Sequence, residues 1–170
     1  MRRIAYAGMT ALAVIALAIA VSGCRRSHHQ DSVAKNRFVN SADEICGEHL
    51  QAMLTLLGGE QHGNQWRQQA TRNESIYRIM ATSIQRLEGL GTAPDPHGEA
   101  FGSYVKTLKA RASLYRLAGV ADLHRDGVFA VRMERRVAQI DTLGDGYAQS
   151  YGLRICGIGA RDATKGLGAK

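Results

Sequence analysis

Apolar positions recur in steps of four and three along most of this chain. The clearest run is Trp66, Ala70, Asn73, Tyr77, Met80, Ile84 and Leu87. That spacing keeps one face of a helix turned toward bundle partners. It predicts a helix over about 65–90, stopped by Gly89 and Gly91. An earlier helix is expected from Arg37 or Ser41 to Leu57, with Phe38, Ala42, Ile45, His49, Ala52 and Leu56 inward. Ser41 and Glu44 fit a capping box, Asp43 and Glu44 suit a first turn, and Gly58-Gly59 form a stop. Glu60 to Asn64 reads as a turn, and Pro94 and Pro96 stiffen the next connection.

A third helix is expected from Pro96 or Gly98 to Leu117 or Leu123, with Phe101, Tyr104, Val105, Leu108, Ala112 and Tyr115 inside. Lys106, Lys109, Arg111 and Arg116 are placed on its outer faces. Asp126 is the candidate cap of a fourth helix over about 127–151, whose inner positions are Phe129, Met133, Val137, Ile140, Gly144, Tyr147 and Tyr151. Gly144 and Gly146 conflict with a helix interior, at about 1 kcal/mol each. Gly152 is placed to end it. No alternation of period two occurs, so the expected fold is all-α, an antiparallel up-down four-helix bundle.

The first two dozen residues follow a different logic. Arg2-Arg3 precede Ile4 to Val21, which carry no charge, and Val21-Ser22-Gly23-Cys24 follows. A basic start, an apolar middle and small residues at the end make a secretory leader. The four-residue motif resembles the bacterial lipobox. The resemblance implies a diacylglyceryl thioether on Cys24, cleavage before Cys24, and acylation of the new amine, with palmitate the typical chain. An uncleaved membrane helix, an ordinary secretory signal and a twin-arginine signal are the alternatives for the same run. The resulting organisation is a leader over 1–23, a flexible membrane tether over 24–37, a bundle over 38–157 and a mobile Gly/Ala-rich tail over 158–170.

Lipidation of Cys24 changes the reading of the other two cysteines. Cys46 and Cys156 then remain as an even pair in a disulfide-permissive compartment. A bridge between them would close a loop of about 110 residues, which stabilises by roughly 4–5 kcal/mol in the chain-entropy model. In an up-down bundle the start of the first helix and the exit of the fourth share an end, so the bundle is expected to be closed by this one disulfide. The stretch from Ala148 to Gly157 is also similar to the ending of small helical actinobacterial envelope lipoproteins. That resemblance implies architecture, with no assigned activity.

Charge adds little beyond this. The formal net charge is +7, and it falls to +5 once Arg2 and Arg3 leave with the leader. Such a surface suits anionic headgroups or cell-wall polymers. No aromatic-basic motif points to nucleic acid.

Candidate chemistry is sparse. His49, Asn73 and Tyr77 are the candidate ligand-binding residues, polar groups on otherwise apolar seams that also suit register-fixing hydrogen bonds. Cys46-x-x-His49 puts two metal ligands on one helical face, with Cys156 a possible third, yet exported thiols tend to oxidise together. There is no His-Glu-x-x-His, no haem-attachment motif, no Gly-x-Ser-x-Gly and no phosphate loop, and so no catalytic set. Asp141 to Gly146 lacks calcium-loop spacing. The expected function is an interaction module anchored through Cys24 at the extracytoplasmic face of a bacterial membrane, with an envelope protein or polymer as partner and no resident cofactor. The alternative is a cofactor- or metal-binding bundle using His49 and core tyrosines.

Overall fold

A computed structural model of the chain describes residues 7–58, 65–94 and 97–156, with side chains from Asp31 onward. Four helices run α1 Ala7–Gly58, α2 Gln65–Gly89, α3 Gly98–Leu123 and α4 Gly127–Tyr151. They form the expected up-down bundle, and no strand occurs among the described residues. None of the helices, among the described residues, is long and apolar enough to cross a membrane. The expected turn at Glu60 to Asn64, Pro96 and the tail beyond Cys156 lie outside the described residues. Cys24 lies where no side chains are described.

Two helix ends match their sequence signals closely. The Asp126 carboxylate accepts the Phe129 N–H at 3.0 Å and caps α4. Gly152 adopts a left-handed backbone with φ of 98°, and its N–H and that of Leu153 return to the Ala148 carbonyl. That closure is the left-handed helix ending for which glycine is suited.

The start of α1 differs from expectation. Ser41 does not cap it, and 31–37, assigned to a flexible tether, are helical and mostly exposed. No Gly or Pro stands between Asp31 and Gly47 to interrupt the backbone, and Lys35, Asn36 and Arg37 keep the extension polar. A helix nucleated on the buried Phe38–Met53 face therefore propagates backward at little cost.

The main core gathers at the end where α3 begins and α4 finishes. Phe38, Phe101 and Tyr151 meet there, with ring centroids 4.8 to 5.8 Å apart. Tyr151, Met80 and Leu87 are the largest side chains wholly withdrawn from solvent. A smaller cluster of Leu114, Ala118, Met133 and Val137 joins α3 to α4. After Gly144 the inner row of α4 continues through Ala148 to Tyr151, so Tyr147, expected inside, is 39% exposed. The α4 helix runs unbroken through both glycines: Gly144 is buried against Thr107, where a Cβ would come 2.9 Å from the hydroxyl. The close approach of α3 and α4 offsets the helix-propensity cost there.

Cys46 and Cys156 are bonded, their Cα atoms 5.1 Å apart across 110 positions of sequence. One turn earlier on α1, Asp43 is 4% exposed. Its Oδ1 accepts the N–H groups of Arg154 at 3.0 Å, Ile155 at 2.9 Å and Cys156 at 3.4 Å. The Arg154 guanidinium lies 3.6 Å from Oδ2. One carboxylate thus satisfies the amides of the turn that presents Cys156 to Cys46, so Asp43 serves the chain's far end and not the first turn of α1. Replacing Asp43 by Ala leaves those amides without their acceptor. It is expected to lower unfolding stability by about 2–3 kcal/mol with the disulfide intact, measured by urea denaturation. Equal denaturation midpoints for the two proteins would refute the role of this carboxylate.

Candidate functional site

A concavity among the described residues lies between α1, α3 and α4. His49, Tyr104, Thr107, Arg111, Asp141 and the Cys46–Cys156 bridge contribute to its walls. Leu50, Met53, Leu108 and Ile140 supply the apolar remainder. The opening exists because α1 packs chiefly on α2, less extensively than α2 on α3 or α3 on α4.

The polar groups in this cleft are mostly engaged with one another or with the backbone. Arg111 Nε stands 3.0 Å from Asp141 Oδ1 across the α3–α4 seam, with the two side chains only 13% and 26% exposed. The guanidinium also lies 5.9 Å from the Tyr115 ring centre. Arg111 was expected to decorate an outer face. Its position three residues after Leu108 and seven after Tyr104 instead turns it inward, as the helical period allows.

Tyr104 donates its hydroxyl to the Cys156 carbonyl at 3.3 Å and lies 3.5 Å from Cys46 Sγ. Burial pushes its phenol well above the ordinary range. Thr107 donates to the Tyr104 carbonyl at 2.6 Å. His49 Nδ1 is 3.1 Å from Ser83 Oγ. The Ser83 hydroxyl already donates to the Ile79 carbonyl at 3.0 Å. The His49–Ser83 contact ties α1 to α2. Burial, reinforced by the positive charge of Arg111, lowers the His49 pKa to about 4. The imidazole is neutral at physiological pH.

The three candidate ligand-binding residues do not converge. His49 lines the cleft. Asn73 is buried on α2 and donates to Asp122 Oδ2 at 2.9 Å. Burial raises the Asp122 carboxyl, and the Asn73 amide opposes that rise. Ten residues of α2, about 15 Å of helix, separate Asn73 from Ser83, the partner of His49. Tyr77 packs on the main core and carries the Arg116 guanidinium 5.6 Å from its ring centre. Asn73 and Asp122 instead pin α2 to α3, beside Gly119, where an added Cβ would come 3.3 Å from the Ala70 carbonyl oxygen. Ser83 and Thr107 were not singled out from the sequence, Arg111 was placed on an outer face, and Asp141 was weighed only as part of a calcium loop. The step of seven from Tyr104 to Arg111 is the signal that would have turned Arg111 inward.

The cleft holds about 50 Å³, room for a few waters and far less than the 300 Å³ or more typical of a small-molecule pocket. Cys46 and Cys156 are oxidised to each other, so neither offers a thiolate beside His49. Among the described residues no three His, Cys, Asp or Glu side chains converge to hold a metal ion. Comparison with protein-family models, with curated proteins and with solved structures finds no match for the chain.

The His49 shift has a pH consequence of definite sign. Its folded pKa lies below the ordinary 6.5, so the unfolded chain binds the extra proton first as pH falls. The associated stability is full above pH 6.5 and is lost on acidification. It amounts to about 3 kcal/mol by pH 4. The stability difference between the unmodified protein and His49→Gln should therefore change by about that amount between pH 7 and pH 4, read from denaturant midpoints. A pH-independent difference would contradict a neutral buried imidazole.

Proposed function

We propose that this chain is a lipid-anchored envelope protein whose helical bundle acts as an interaction module at the extracytoplasmic face of a bacterial membrane. The observation that carries the reading is the pairing of Cys46 with Cys156. Of three cysteines, two are consumed in a structural bridge of the kind made in oxidising compartments. The third, Cys24, closes a lipobox-like motif after an uncharged run. Export, lipidation and an even disulfide count then describe one processing history. The first described residues of α1 lead away from the end of the bundle that carries Phe101, Tyr151 and the bridge. Anchoring at Cys24 would hold that end nearest the bilayer.

The cofactor-binding alternative has weaker support. His49 is hydrogen-bonded to Ser83, Tyr104 to the Cys156 carbonyl and Tyr151 to the Pro94 carbonyl at 3.5 Å. These side chains serve as internal ties, and the cleft between them is small.

The intact mass of protein extracted from bacterial membranes tests the reading. A mature chain starting at Cys24 and carrying two or three acyl chains is expected. Cys24→Ser should abolish both the added mass and recovery in the membrane fraction. An unmodified Cys24 in membrane-extracted protein would refute lipid anchoring.

A further inference from the structure

Apolar exposure on this molecule is uneven. Among the described residues, seven of the nine large apolar side chains left exposed belong to α3, α4 or their turn, and none belongs to α2. Leu117 and Val120 on α3 are 47% and 49% exposed, and Leu143 on α4 is 59% exposed. These positions follow helical stripes. On α3 the stripe runs from Lys106 through Ala110, Ser113 and Leu117 to Val120, in steps of four and three, and all five are exposed. On α4 it runs from Val128 through Arg132, Arg136, Gln139 and Leu143 to Tyr147, again exposed throughout.

The two stripes border one side of the α3–α4 seam. Leu117 lies one turn from Leu114, and Arg136 and Leu143 lie one turn either side of Ile140, residues that pack together in the seam. The cleft lies on the opposite side. Asp141 and Asp145 each fall two residues from a stripe position, about 200° around the helix.

Charge divides along the same line. Neither stripe contains an acid. Most acids of this region are placed elsewhere: Asp122 is buried on Asn73, Asp126 caps α4, Asp141 faces Arg111, and Asp145 lines the cleft. Glu99, exposed in the first turn of α3, lies one heptad before Lys106 and ends the stripe on that side. Glu134 shares the helical line of Asp141, one heptad earlier. The outer α3–α4 face therefore offers aliphatic side chains and a tyrosine among Lys106, Arg132 and Arg136, with no negative charge between them. Aliphatic and aromatic groups interleaved with basic ones are what an anionic bilayer interface binds.

We propose that the outer α3–α4 face is a lipid-docking surface that takes anionic phospholipid headgroups and lays the bundle along the bilayer, with the cleft turned away from it. The inference rests on the anchored reading above, because the anchor brings this face to a membrane. Its own contribution is the orientation of the domain and the headgroup charge it requires.

The test uses full-chain protein carrying Leu143→Trp, with the unmodified chain and its native Trp66 as background. Each is reconstituted on vesicles of phosphatidylcholine, or of phosphatidylcholine and phosphatidylglycerol in equal parts. The emission attributable to position 143 should shift to the blue on the anionic vesicles alone. The shift should vanish at ~0.5 M salt, where exposed charges are screened within a few ångströms. Arg132→Glu with Arg136→Glu should lower the docked-to-undocked ratio about 30-fold or more, at roughly fivefold per basic residue lost. A vesicle-bound protein with an unshifted Trp at 143, or an equal shift on neutral vesicles, overturns the proposal. So does a shift given by soluble polyglutamate and not by vesicles, which would assign the face to an acidic protein. The mass at Cys24, read on the same preparation, reports separately on the anchor.

Discussion

The carboxylate of Asp43 is the contact on which the closure of this bundle depends. It binds three consecutive amides of a turn more than a hundred residues away. A buried carboxylate is tolerated only when its oxygens are well supplied with donors, and here backbone N–H groups supply them. Cys46 lies one helical turn further along α1, on the same side. Holding 154–156 against Asp43 therefore sets Cys156 where Cys46 can reach it. Phe38, five residues before Asp43, packs on both Phe101 and Tyr151. Aromatic packing, carboxylate cap and covalent bridge follow one another along α1 within nine residues. Because neighbouring contacts couple, their contributions are not a simple sum.

That arrangement also explains why a cleft exists. Secured at one end to the turn after α4, and along its length mainly to α2, α1 need not lie flush against α4. The Arg111–Asp141 pair spans the α3–α4 floor beneath the gap, and the neutral His49 is tied back to α2. The gap's polar side chains thus fix helix register more than they offer free valences. Asn73 and Asp122 do the same at the opposite end of the core. Polar groups are found on each inter-helix surface, and none gathers into a catalytic set among the described residues.

The outer surface is graded. On the α1 and α2 side the solvent-facing positions include ion pairs, Arg86 with Glu48 and Arg78 with Glu74. Along the two outer α3–α4 stripes they are aliphatic, basic or neutral polar. Isolated apolar residues on a surface are ordinary; their concentration on one hairpin, along one stripe of each helix with no acid from Lys106 to Val120 or from Val128 to Tyr147 on those lines, is what sets this side apart.

The sequence by itself determined the four helices, most of their inner positions and the helix ends at Asp126 and Gly152. Those depend on local periodicity and on backbone chemistry within a few residues. The cysteine arithmetic was legible too, because it needs only a count and a compartment. The place where α1 begins was not legible: Ser41 and Glu44 carry a valid capping pattern, yet a longer helix without Gly or Pro satisfies the same amides by continuing. Nor were the roles of Asp43, Arg111 and Ser83, whose partners lie on other elements at large sequence separation. Tyr147 moved outward because the inner row of α4 steps by four after Gly144, a choice between two equally periodic continuations that the packing of Ala148 and Tyr151 settles. Tertiary structure alone decided which polar residues would meet and which would not. A hydrogen bond depends on the distance between two helices, and that distance is written in no single stretch of chain.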